Sequence, residues 1–176
     1  MSQRHQTGAM DSPAHTLILL RHGKSDWSGG EPDLRRPLAK RGRRQAPEAG
    51  RWLAEQIDVI DLAIVSPATR AQQTWQLASA ELAVTPPVRD EARAYGASAG
   101  DLLDLGRELP NDAGTVIVVG HNPGLEDLAS TLTGQEVPMP TSALTVIGLA
   151  GDWETAGTGD ADLLASGRPP EGAPSS

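Results

Sequence analysis

Short apolar runs alternate with longer amphipathic stretches along most of this chain. The apolar runs lie at residues 16–20, 62–65, 115–119 and 143–149. They are too short for helices and rich in branched side chains, which is typical of buried strands. Between them, apolar side chains recur at mostly helical spacing over residues 38–57, 68–81, 99–109 and 123–134. The alternation predicts an α/β fold with three αβα layers, in which helices flank a mainly parallel sheet.

A single domain is expected over residues 15–150, because this length provides room for one core. Residues 1–14 are polar and lack an apolar signal-peptide region, so we interpret them as a disordered lead-in. Gly, Asp, Pro and Ser dominate residues 151–176, which predicts a polar tail that is largely disordered after residue 166. No apolar stretch is long enough to span a membrane. The expected compartment is the cytoplasm.

The composition limits the kinds of site and partner that are expected. The chain has no cysteine and four scattered histidines, so we expect neither disulfides nor a metal site, and no cofactor. The net charge of −8 argues against a nucleic-acid partner. The charge is uneven, however, with +3 over residues 1–70 and −11 over residues 71–176. Most of the basic side chains are expected to be solvated, but a local positive field in an acidic protein suits a small anionic group.

The first apolar run leads directly into Arg21, His22 and Gly23. Gly23 allows a close turn at the carboxyl end of the strand, which is the edge where open α/β sheets place their sites. An imidazole at this edge can attack phosphorus, and a neighbouring guanidinium can hold two phosphoryl oxygens. The segment therefore indicates phosphoryl chemistry.

Two later segments repeat this layout of an apolar run followed by a polar turn. The second run leads into residues 66–74, with Arg70 in the first turn of the following helix. The third leads into residues 120–124, which read Gly-His-Asn-Pro-Gly and contain His121. Because the carboxyl ends of parallel strands share one edge, we expect Arg21, His22, Arg70 and His121 to lie together.

These three segments, together with Arg36-Pro37-Leu38, resemble the histidine phosphatase superfamily of phosphoglycerate mutase-like proteins. The resemblance spans roughly residues 17–149, and the short length and the Gly-His-Asn-Pro-Gly form are most similar to the SixA-type phosphohistidine phosphatases. It implies a nucleophilic His22, with Arg21, Arg70 and His121 around the phosphoryl oxygens and no metal. In the polar loop after Gly23, two serines are candidates to donate to phosphate oxygens: Ser25 and Ser28.

The general acid is not defined by the sequence. Mutase-like relatives place a glutamate shortly before Tyr-Gly, but here the position that corresponds to it before Tyr95-Gly96 is Ala92. Glu91 and Asp26 remain as possible acids. A phosphoryl–imidazole bond breaks once the ring is protonated from solvent, whereas an alkoxide leaving group needs a positioned acid. The lack of a clear acid therefore favours a phosphoamidate substrate.

The sequence thus predicts a metal-independent phosphatase that forms a phosphohistidine on His22 and releases inorganic phosphate. The favoured substrate is phosphohistidine in a protein partner, with no nucleic-acid or membrane partner, and the expected state is a monomer or weak dimer. Two alternatives stay open. One is a small-molecule phosphomonoesterase or mutase with the same core, and the other is a phosphoprotein-binding module without catalysis.

Overall fold

A computed structural model describes residues 12–175, which form a six-stranded sheet in the order β3-β2-β4-β1-β5-β6. The lead-in expected over residues 1–14 falls mainly outside the described residues. The strands are β1 (His15–Arg21), β2 (Leu62–Val65), β3 (Val88–Asp90), β4 (Thr115–Gly120), β5 (Leu144–Leu149) and β6 (Ala161–Gly167). The helices are α1 (Lys40–Gln56), α2 (Thr69–Ser79), α3 (Ala99–Arg107) and α4 (Gly124–Thr133).

The sheet is mixed but mainly parallel, as predicted. Strands β3, β2, β4 and β1 pair in parallel. Strand β5 runs antiparallel to β1, and β6 runs antiparallel to β5. Five of the six strands therefore point the same way, and their carboxyl ends meet at one edge.

Both faces of the sheet are covered, which confirms the three layers. Along β1, Leu17 and Leu19 join the core beneath α3 and α4, whereas Ile18 and Leu20 join the core beneath α1 and α2. Successive strand residues point to opposite faces, so burial on both sides produces a continuous apolar run. No helix among residues 12–175 combines the length and the apolar character that crossing a membrane would require.

Helix α1 begins at Lys40 and continues through Pro47. An interior proline removes one backbone hydrogen bond, but fully buried side chains lie on both sides of it, at Ala46 and Leu53. Tertiary packing of this face overrides the local penalty.

Two edge strands differ from the sequence prediction. Strand β3 was missed because its three residues are all exposed, which leaves no apolar pattern. The polar tail expected from residue 151 is wrong in its first part. Trp153 is buried and its indole donates to the carbonyl of Ala113 at 2.8 Å, and residues 161–167 form edge strand β6. The disorder expected beyond this strand stays a prediction.

The register of the central strands determines which residues meet at the carboxyl edge. Val119 of β4 pairs with Leu20 of β1 on one side and with Val65 of β2 on the other. The residues that follow these strands therefore emerge side by side. In this way the sheet brings His22, Ser66 and His121 to one place.

Candidate active site

His22 lies at the carboxyl end of β1, with its ring held in one orientation. Its Nδ1 lies 2.7 Å from the carbonyl oxygen of Gly23. A carbonyl only accepts, so Nδ1 carries the hydrogen and Nε2 keeps its lone pair. Burial, followed by the positive field of His121, Arg70 and Arg21, lowers the pKa of His22 to about 3. The ring is therefore neutral at physiological pH.

The turn after His22 requires glycine for steric reasons. A Cβ at Gly23 would lie 2.9 Å from the Cα of Gly42, in the first turn of α1. The Gly23 amide also donates to Oγ1 of Thr74 in α2 at 2.9 Å. Two helices thus hold the turn that carries His22, and its backbone carbonyl is positioned to orient the imidazole.

His121 faces His22, with their ring centroids 5.1 Å apart. Its Nε2 lies 2.7 Å from Oγ of Ser66, and that hydroxyl oxygen accepts from the amide of Ala68 at 3.2 Å. The other ring nitrogen, Nδ1, is buried and finds no partner among residues 12–175. Burial, followed by Arg70 and Arg21, lowers the pKa of His121 to about 4. This ring is also neutral at physiological pH.

Arg21 contributes a second buried donor without a partner. One end of its guanidinium donates from Nη1 to the carbonyl of Met139 at 3.1 Å. Its Nε is buried and makes no hydrogen bond within the described part of the chain. Buried polar groups in folded proteins are nearly always paired. Nε of Arg21 and Nδ1 of His121 therefore indicate a site for an acceptor, such as a phosphoryl group.

Arg70 lies in the first turn of α2, as predicted, and its side chain is only 9% exposed. It donates from Nη1 to the backbone oxygen of Asp33 at 2.7 Å and from Nη2 to the carboxylate at 3.1 Å. The Asp33 carboxylate also accepts from the hydroxyl of Tyr95 at 2.6 Å and from Arg36. The Tyr95 ring lies 5.6 Å from that of His121, so Asp33 links Arg70 to the rest of the site.

The structure thus brings together Arg21, His22, Arg70 and His121, the four residues that the sequence places at one edge. The two arginines lower the pKa of both histidines, which reflects their proximity. Burial in turn lowers the pKa of Arg21 and of Arg70. Between residues 12 and 175, no group of three or more His, Asp or Glu side chains is arranged to hold a metal ion.

The lesser candidates have other partners. Ser25 is buried beside Leu38, with which its backbone forms an isolated bridge. Ser28 is exposed and donates to the Asp26 carboxylate at 2.6 Å, and this bond lowers the pKa of Asp26. Glu91 accepts from the backbone and guanidinium of Arg93, which lowers its pKa. Both carboxylates are therefore held ionised, and neither is poised to donate a proton.

Three residues of the site were missed as such. Ser66 belongs to the segment that signals the second arginine, yet its contact with His121 depends on strand order. Asp33 lies three residues before Arg36-Pro37-Leu38, and Tyr95 lies in the Tyr-Gly pair. Each of these segments could be recognised in the sequence. The hydrogen bond between Asp33 and Tyr95, however, joins residues 62 positions apart, and no local pattern predicts it.

Comparisons with known proteins agree with this geometry. The sequence model of the Histidine phosphatase superfamily (branch 1) matches residues 17–102. An uncharacterized protein of Mycobacterium tuberculosis is 34% identical over 156 residues, which cover 82% of this chain and 96% of that protein. A 2,3-bisphosphoglycerate-dependent phosphoglycerate mutase of Nitrobacter winogradskyi is 36% identical over 100 residues, which cover 52% of this chain and 46% of the mutase.

A solved structure extends the similarity to the whole domain. It is that of the candidate phosphohistidine phosphatase SixA of Nakamurella multipartitia, which superimposes with a TM-score of 0.78 at 26% identity. The match covers 89% of this chain and 98% of the other. The superimposed part of this chain is therefore longer than the segment matched by the family model.

Proposed function

Because the chain belongs to the histidine phosphatase superfamily and is a phosphatase, we propose that it hydrolyses phosphohistidine on a partner protein, through a phosphohistidine formed on His22 and without a metal ion. The observation that carries this proposal is the hydrogen bond from Nδ1 of His22 to the Gly23 carbonyl. It directs the lone pair of Nε2 away from the backbone, in a site with two unpaired buried donors.

In the first step, Nε2 of His22 attacks phosphorus as the P–N bond of the substrate breaks. The bonding electrons pass to the substrate imidazole, which takes its proton from solvent. Nε of Arg21 and Nδ1 of His121 donate to phosphoryl oxygens, and Arg70 adds positive charge beside them. Groups fixed in this way stabilise charge as it shifts in the transition state, and loss of one typically costs about 3 kcal/mol in the barrier.

In the second step, water attacks the phosphoryl group on His22. The bond between phosphorus and Nε2 breaks, inorganic phosphate leaves, and the imidazole returns to its neutral form. Its Nδ1 keeps its hydrogen and donates it to the Gly23 carbonyl throughout, so the ring keeps its orientation. No step requires a metal, because Arg21 and Arg70 supply the positive charge.

The state of the nearby carboxylates supports a phosphoamidate substrate. Glu91 and Asp26 are held ionised by Arg93 and Ser28, respectively. The Asp33 carboxylate already accepts hydrogen bonds from two arginines and a tyrosine, so it is engaged in holding the site. An imidazole leaving group is protonated readily from water, whereas an alkoxide is not. The site thus suits a P–N bond better than a sugar phosphate.

The alternative with a specific observation in its favour is a small-molecule phosphatase or mutase, since the N. winogradskyi mutase shares 36% identity over 100 residues. In that reaction Glu91 would have to leave Arg93 and act as the acid. A non-catalytic role is not proposed, because the chain belongs to a superfamily of enzymes and its four central residues lie together.

Turnover separates the two reactions. Histidine-phosphorylated protein and p-nitrophenyl phosphate are each incubated with the wild type, His22→Ala and Glu91→Gln, with and without EDTA. We expect EDTA-resistant loss of phosphohistidine that is absent in His22→Ala and unchanged in Glu91→Gln, with slow monoester hydrolysis. Fast monoester hydrolysis that falls in Glu91→Gln, with phosphohistidine intact, would establish the alternative.

A further inference from the structure

The mouth of the site carries an unusual share of exposed apolar side chains. Among residues 12–175, six large hydrophobic side chains are exposed, and three of them, Trp27, Leu34 and Tyr95, lie around Asp33. Trp27 is 69% exposed. Tryptophan is highly buried on average, and large exposed apolar patches mark interaction sites. We call these three side chains the rim surface.

Trp27 is held in place although it is exposed. The guanidinium carbon of Arg36 lies 3.5 Å from the centroid of its ring. Arg36 pairs with Asp33, and Asp33 accepts from Tyr95. Leu34 follows Asp33 in the same 3-10 turn. The rim surface is therefore one connected, partly ordered patch, and ordering before binding reduces the entropy lost on association.

Positive charge surrounds one side of the rim surface. Residues 21–44 contain eight Lys or Arg and three Asp or Glu, a net +5 in a chain of net −8. Six exposed cations of this segment make no ion pair with any residue the structure describes. They are Lys24, Arg35, Lys40, Arg41, Arg43 and Arg44.

The position of these cations has a cost in stability. Four of them occupy the start of α1, where no acidic residue is present. Cations near a helix N-terminus are electrostatically unfavourable. The first turn of α1 also abuts the turn that carries His22, through Gly42 and Gly23. The backbone at the start of α1 therefore lies beside the turn that carries His22, so this basic segment begins at the entrance of the site.

The surface next to Tyr95 is acidic. Beyond Tyr95, a surface cavity is lined by three carboxylates, Asp101, Asp104 and Glu108, and by Arg93. Such a division of charge orients a partner, because its acidic face is attracted to one side and repelled from the other. A long polyanion bound across the entrance of the site would be repelled by these carboxylates.

We propose that the rim surface and the basic start of α1 dock an acidic protein face, from which the phosphohistidine side chain enters the site. This rests on the proposed function. His22 is only 8% exposed, so the phosphorylated side chain must reach inward while its carrier stays at the mouth. A free phosphorylated amino acid would fill the inner site without touching Trp27 or α1. The rim therefore selects the carrier, and the inner residues select the phosphoryl group.

Two substrates test this division. One is an acidic histidine-containing phosphotransfer domain, phosphorylated with phosphoramidate, and the other is free phosphohistidine. The variants are Trp27→Ala and the double substitution Lys40→Glu, Arg41→Glu. We expect kcat/KM for the phosphoprotein to fall about tenfold or more, mainly through KM, while that for free phosphohistidine changes less than about twofold. The loss from the charge reversal should shrink at high salt.

Arg51→Glu is the matched charge control, since it lies on α1 seven residues past Arg44 and pairs with Glu81. Val84→Ala is the apolar control, since Val84 is 83% exposed and lies outside the rim. Equal losses with both substrates, no loss, or the same loss in the controls would overturn the docking surface while the proposed function stands. A wild type that hydrolyses neither substrate would overturn the proposed function itself, and the docking surface with it. Oligonucleotide binding that needs the same cations, without an effect on phosphoprotein turnover, would reassign the surface to nucleic acid.

Discussion

Ser66 fixes the hydrogen of His121 on the nitrogen that faces the site. The Ser66 hydroxyl lies 2.7 Å from Nε2, and its oxygen already accepts from the Ala68 amide. The serine is fully buried, and its only acceptor among the described residues is Nε2. The hydroxyl therefore donates to Nε2, which leaves the ring hydrogen on Nδ1. That nitrogen is buried and unpaired, as a donor to a phosphoryl oxygen should be.

Removal of this hydroxyl should release the tautomer of His121. In Ser66→Ala, Nε2 loses its donor, so the hydrogen can move from Nδ1 to Nε2. We expect kcat/KM to fall by about 10- to 100-fold, the range typical when a hydrogen-bond partner of a metal-ligating histidine is lost. The ¹⁵N chemical shifts of the ring should report a mixture of tautomers in the variant and the Nδ1–H form in the wild type.

Thr145→Val is the matched control for Ser66→Ala. The Thr145 hydroxyl is also fully buried, but it has no hydrogen-bond partner within the described part of the chain. Its removal should leave activity and the His121 tautomer unchanged. An equal loss of activity in both variants, or an unchanged tautomer in Ser66→Ala, would contradict the positioning role of Ser66.

Asp33 is expected to orient Arg70 for the phosphoryl group. It holds two ends of the guanidinium through its backbone oxygen and its carboxylate. In Asp33→Ala the carboxylate contact is lost, so the plane of Arg70 is less well fixed. We expect the KM for phosphohistidine and the inhibition constant of vanadate to rise about tenfold, with a smaller effect in Asp33→Asn. Tighter vanadate binding would instead mean that the carboxylate competes with the phosphoryl group for Arg70.

The two buried histidines should make the protein less stable in acid. Their pKa values are lowered from 6.5 to about 3 for His22 and about 4 for His121. Below pH 6.5 the unfolded chain binds protons that the folded chain does not. The free energy of unfolding should therefore fall as the pH falls from about 6.5 toward 4.

Urea denaturation at pH 7 and at pH 5 measures this loss. The wild type should lose more stability between the two values than the double variant His22→Gln, His121→Gln. In an NMR titration, both rings should stay neutral down to pH 5. A midpoint near 6.5 for either ring would show that it is not desolvated as the structure indicates.

Two helical glycines should respond in opposite ways to alanine. A Cβ at Gly50 in α1 would lie 2.1 Å from the carbonyl oxygen of Ala78 in α2. Gly50→Ala should therefore force the helices apart and cost about 1–3 kcal/mol. Nothing lies within 4 Å of a Cβ at Gly106 in α3, so Gly106→Ala should gain up to about 1 kcal/mol. Thermal denaturation compares the two, and a stable Gly50→Ala would contradict the close approach of α1 and α2.

Much of the fold could be predicted because its central strands are buried on both faces. Such strands are continuous apolar runs, as in β1 and β4, and a turn follows each of them. The edge strands could not be found in this way. Residues 88–90 are all exposed, and β6 is mostly only partly buried, with the exposed polar residues Asp162 and Ser166 interrupting its apolar positions. Their place in the sheet depends on pairing with β2 and with β5, which the local sequence pattern does not indicate.

The site, like the fold, could be predicted from the sequence only in part. Arg21, His22 and His121 follow apolar strands directly, so parallel pairing alone brings them together. The partners of the four central residues depend on longer contacts. Asp33 reaches Arg70 across 37 positions, and Ser66 reaches His121 across 55. Each partner side chain was visible in the sequence, but its direction is determined by the loop or strand that packs beside it.

The most direct test of the account is to trap the phosphoryl group on the enzyme. The enzyme is mixed with less than one equivalent of histidine-phosphorylated protein in EDTA, quenched in alkali within milliseconds, digested and analysed by mass spectrometry. We expect an alkali-stable, acid-labile phosphoryl group on Nε2 of His22, absent in His22→Gln and formed more slowly in His121→Gln. Turnover without this adduct, or an adduct on another residue, would contradict it.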